Sequence, residues 1–98
     1  MATLYIAVWT SATEVALGDP IQEMAVSIGA GSVQSAEITA DNRKRRRVRL
    51  LADTACFVTW SANPTALNDG TDGRPLGAEN PEYFDIESGY KIAVIERT

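Results

Sequence analysis

Ninety-eight residues with 13 acidic and nine basic side chains and a net charge of −4 make one small acidic domain, residues 1–98, too small for a large interior cofactor cavity. The absence of histidine and the single cysteine, Cys56, exclude histidine-based catalytic triads, histidine metal sites and an intrachain disulfide. No apolar run approaches the roughly 20 residues of a membrane-spanning helix, and neither a signal peptide nor a membrane partner is expected.

Leu4, Ile6 and Val8 alternate with Tyr5, Ala7 and Trp9, so the first predicted strand is apolar on both faces. One face meets the core. The other, carrying Tyr5 and Trp9, needs cover from a loop or from another subunit. Ser11-Ala12-Thr13-Glu14 has the spacing of a capping box for one helical turn ending at Gly18, and Asp19-Pro20 is a breaker. A second strand follows, with Met24, Val26 and Ile28 on one face and Glu23, Ala25 and Ser27 on the other. Gly29-Ala30-Gly31 predicts a hairpin turn into a polar returning strand over residues 32–39.

Residues 43–49 hold six of the nine basic side chains, so the remaining 91 positions carry a net −10. The chain is an acidic body with one basic strip. Alternation through this stretch turns Val48 and Leu50 inward and Arg47, Arg49 and Leu51 outward, with Arg45 and Arg43 on the same outward parity. Asp53-Thr54 connects to a strand over Cys56, Val58 and Trp60, and Cys56 reads as a buried reduced thiol. A long loop is predicted from Ser61 to Gly77. The last two strands run over Tyr83–Glu87 and Lys91–Arg97, turning at Ser88-Gly89. About seven short antiparallel strands and no long helix predict an all-β domain, a compact β-sandwich or jelly-roll-like barrel.

The basic strip (Arg43, Lys44, Arg45, Arg46, Arg47 and Arg49) admits three readings. It is a footprint for nucleic acid, an ion-pairing strip for an acidic protein surface, or a solvated strand edge. No aromatic residue interleaves it and the domain is acidic, which opposes a polyanion. Arginine outnumbers lysine five to one there, which favours paired carboxylates, because the planar guanidinium binds them bidentately. Asp85 and Glu87, on the outward parity of their strand, are candidate mates on a neighbouring copy. Tyr5, Trp9 and Ile95 form the expected apolar interface of a homo-oligomer. The loop from Asn68 to Glu79 has calcium-loop spacing in part, but Gly70 and Pro75 occupy unsuitable positions, so no metal or other cofactor is expected.

The order of Arg47–Val58, Asn63-Pro64-Thr65-Ala66, Leu76-Gly77-Ala78, Pro81-Glu82-Tyr83-Phe84 and Gly89–Ile95 resembles small β-sandwich virion structural proteins of tailed bacteriophages, head decoration (cement) proteins among them. The resemblance covers residues 47–95. It implies a non-catalytic virion component, assembled in the host cytoplasm, that binds the major capsid protein or another virion protein and reinforces the head. By the same analogy the homo-oligomer is a trimer. A head–tail or tail accessory protein is the alternative within the virion. Outside it, the alternative is a nucleic-acid-binding accessory protein using residues 43–49.

Overall fold

A computed structural model describes residues 2–9, 21–38, 45–67 and 73–97. The alternating stretches become eight strands: β1 (Thr3–Trp9), β2 (Gln22–Ser27), β3 (Val33–Gln34), β4 (Arg45–Ala52), β5 (Cys56–Ser61), β6 (Arg74–Leu76), β7 (Glu82–Glu87) and β8 (Lys91–Glu96). They form two antiparallel four-stranded sheets, ordered β2-β1-β4-β7 and β3-β8-β5-β6. The architecture is a β-sandwich, and no helix occurs among the described residues.

Period-two patterning decides which side chains fill the gap between the sheets. From the first sheet come Leu4, Ile6, Val8, Val26, Val48, Leu50, Ala52 and Ile86. From the second come Cys56, Val58, Leu76, Ile92 and Val94, and all of these are buried. Trp60 of β5 and Phe84 of β7 meet across one open side, with ring centroids 4.9 Å apart. The Arg74 guanidinium of β6 lies over both rings, at 5.5 and 5.4 Å. It closes the side where the edge strands β6 and β7 leave the core open.

Three expectations are corrected here. Gly29-Ala30-Gly31 is a corner between sheets, because β2 pairs with β1 while β3 pairs with β8. Neither glycine adopts the positive φ of a tight hairpin turn, and the Gly29 carbonyl accepts from Glu96 N of the opposite sheet at 3.0 Å. The returning strand over 32–39 shrinks to two residues for a local reason. Ser35 N donates to Ile92 O at 2.7 Å, but Ile92 N donates to the Ser35 hydroxyl at 3.0 Å in place of a backbone carbonyl. The segment then rejoins β8, with Ile38 N donating to Tyr90 O. Finally, the long loop contains β6. Pro75 obscured it in the sequence, yet proline is tolerated because β6 is an edge strand and need not donate on its outer side. The helical turn considered at Ser11–Gly18 lies outside the described residues.

Two outcomes follow for stability. Leu50 is fully buried and its neighbour Leu51 is half-buried on the opposite face. Urea unfolding should show Leu50→Ala losing about 2–5 kcal/mol and Leu51→Ala about 1 kcal/mol or less; equal losses would contradict the register. Ser35→Ala leaves the buried Ile92 N–H without its acceptor, a loss of about 1–3 kcal/mol. An unchanged melting temperature in that variant would remove the bridging role of the hydroxyl.

Candidate binding face

The outward face of the β2-β1-β4-β7 sheet carries most of the residues singled out by sequence. Strand register arranges them in rows. Ala25, Tyr5 and Leu51 share one row, and Glu23, Ala7, Arg49 and Tyr83 share the next. Beyond these stand Trp9, Arg47 and Asp85, and then Arg45 opposite Glu87. The face therefore grades from apolar, through aromatic and cationic, to a strip carrying both signs of charge.

The acidic mate of Arg47 is on the same chain. Arg47 Nε lies 3.9 Å from Asp85 Oδ1, both side chains being partly exposed. This pairing arises because β7 lies directly beside β4, a neighbour that sequence spacing alone does not reveal. Arg46 does not belong to the strip. Its position has the inward parity of Val48 and Leu50, and it is only 2% exposed. Arg43 and Lys44 lie outside the described residues.

Trp9 and Ile95 are not the uncovered apolar anchors that their strands suggested. Trp9 is 9% exposed. It lies against Tyr83 of β7, with ring centroids 6.2 Å apart, and against the Arg49 guanidinium at 5.8 Å. Ile95 is 7% exposed on the outer face of the second sheet, where the loop after β5 lays Ala66 over Ile95, Ala93 and Phe57. Gln34 Nε2 holds that loop by donating to Asn63 Oδ1 at 2.9 Å and Pro64 O at 2.7 Å. Ala66 N also donates to the Ser32 hydroxyl at 2.9 Å. The small apolar Ala66 after Asn63-Pro64 was the available sign that this loop folds inward.

Tyr5, in contrast, is 47% exposed, and Tyr83 is 51% exposed. Beside Tyr5 lies an open hollow of about 540 Å³ lined by Tyr5, Glu23, Ala25, Arg49 and Leu51. Ala25, the smallest side chain of this lining, leaves the space open. Arg49 is the feature that sequence reading undervalued: its Nε is buried and has no hydrogen-bond partner. A smaller hollow of about 300 Å³ lies beside Trp60, Gly73 and Arg74. Gly73 is required there, since its φ is +141° and a Cβ would stand 3.1 Å from Val58 O.

Of the considered calcium loop, residues 68–72 lie outside the described residues and Glu79 is exposed. Among the described residues no three metal-ligating side chains cluster. No protein-family model, curated protein or solved structure matches the chain.

Cys56 is buried and free. Burial pushes its thiol up to about 11, partly opposed by Arg97 and reinforced by Asp53. The folded thiol thus keeps its proton at pH values where the unfolded one, near 9.0, loses it. Stability linked to this group is complete below pH 9 and falls as pH rises towards 11, because the unfolded chain then binds fewer protons. A thiol reagent at pH 8 should label Cys56 only after denaturant is added, whereas rapid labelling of the native protein would contradict its burial.

Proposed function

We propose that this protein is a structural component of a tailed-bacteriophage virion, a decoration protein that binds the outside of the head and reinforces it without catalysis. The resemblance over residues 47–95 supports the virion setting. The observation that carries the reading is the Arg47–Asp85 pair on adjacent strands, with Arg45 set opposite Glu87. A strip with both signs of charge, held on a sheet, suits a protein surface with matching charges better than a uniformly negative nucleic acid. A capsid lattice presents the same partner surface many times, so weak single contacts add up to durable attachment.

The test is co-sedimentation of the purified protein with heads assembled without it. Binding should saturate at a fixed number of copies per capsomer and raise the temperature at which heads disrupt. Arg47→Gln should weaken this binding about tenfold and change folding stability by about 1 kcal/mol or less, because the ion pair is exposed. Binding to tails or to head–tail connectors alone would move the protein to an accessory position in the virion. Retention on DNA with a steep salt dependence, and none on heads, would overturn the proposal in favour of nucleic-acid binding.

A further inference from the structure

The outward face of the β2-β1-β4-β7 sheet has a charge pattern that matches a copy of itself. Glu23 and Arg49 stand on either side of Ala7, on β2 and β4, about 9.5 Å apart at two strand spacings. In the adjacent row, Ala25 and Leu51 flank Tyr5 in the same way. β1 is therefore a line with acid on one side, base on the other, and apolar groups on both.

We propose that two copies of this chain pack face to face through these three strands, about a two-fold axis parallel to β1. Rotation about that axis lays β2 of each copy over β4 of the other and keeps positions along the strands. Glu23 of each copy then meets Arg49 of the other, and Ala25 meets Leu51. The two Tyr5 rings meet near the axis, in the hollows of about 540 Å³ beside them. The alternative axis, across the strands through Ala7, sets Glu23 on Glu23 and Arg49 on Arg49, and like charges exclude it.

Two observations besides the pattern point to this occupant. Tyr5 is a large aromatic, half exposed, beside an unfilled hollow. Arg49 has its Nε buried without a hydrogen-bond partner, and burial of a cation in a contact calls for an opposing carboxylate. Sheets packed face to face with their strands aligned within about 30° are a common arrangement. The contact is isologous and closes on two copies, so the unit is a dimer in place of the trimer expected by analogy. Asp85 and Glu87 stand on β7, beyond the three contact strands, and Arg47 stands at the rim, one row from Arg49. The dimer does not depend on the capsid reading, and the purified chain alone tests it.

Sedimentation equilibrium at micromolar concentration should give twice the chain mass of 10.6 kDa. Glu23→Arg and Arg49→Glu, each alone, should weaken self-association at least tenfold. Mixed together, the two variants should form a one-to-one heterodimer within a few-fold of the original affinity. In that heterodimer the introduced arginine of one copy faces the introduced glutamate of the other, and the retained Arg49 and Glu23 face each other as before. Because Arg49 also packs on Trp9, its reversal can unfold the chain. Tyr5→Arg, at an exposed position, is the further variant, and it should be a folded monomer with two like charges repelling at the axis. A wild-type mass of one or three copies overturns the dimer. So does an unchanged mass in Glu23→Arg or Tyr5→Arg, or failure of folded single variants to recover one another on mixing.

Discussion

Everything on the first sheet depends on β4, which pairs with β1 on one side and β7 on the other. It has to serve the core and the surface from eight consecutive residues. Alternation makes this possible: Val48, Leu50 and Ala52 enter the core, while Arg47, Arg49 and Leu51 face out. A slip of one residue would drive Arg47 and Arg49 between the sheets and expel the apolar set, so the register is strongly held. Arg46 shows the limit of this division. It takes the inward parity and is buried as a whole, its guanidinium Nη1 included.

Both outer faces inherit apolar residues from strands that are hydrophobic throughout, and the fold treats them differently. On the second sheet, Ala66 and its loop cover Ala93 and Ile95, held by the side chains of Gln34 and Ser32. A satellite cluster outside the main core results. On the first sheet, Trp9 lies against Tyr83 and Arg49, which covers one end of the face and leaves Tyr5 exposed at the other. One face is closed by the chain itself. The other retains an aromatic rim, a hollow and opposed charges, the combination expected of a contact surface.

The charge distribution gains a physical meaning from strand order. Taken along the chain, six basic residues in seven positions form a cationic block. Across the sheet, β7 sets Asp85 and Glu87 beside Arg47 and Arg45, and β2 sets Glu23 two strands from Arg49. Each arginine of the outward parity on β4 thus has an acidic residue in its own row, which moderates the field that a polyanion would otherwise meet.

Composition and period-two alternation alone determined the all-β class, seven of the eight strands at least in part, and core positions along six of them; the returning segment read as polar, and its buried Ile38 was missed. Parity is local, and each side chain's face follows from its neighbours in sequence. It also placed Arg46 opposite to Arg47 and Arg49, although reading the six basic residues as one block concealed that. Only the tertiary structure decided which strands are neighbours. The pairing of Arg47 with Asp85, the cover over Trp9 and Ile95, and the row from Glu23 to Arg49 all join residues far apart in the chain. No local preference encodes such contacts. They follow from strands changing sheets at corners such as Gly29–Gly31, where the hydrogen bond that holds the chain, Glu96 N to Gly29 O, comes from the far end of the sequence.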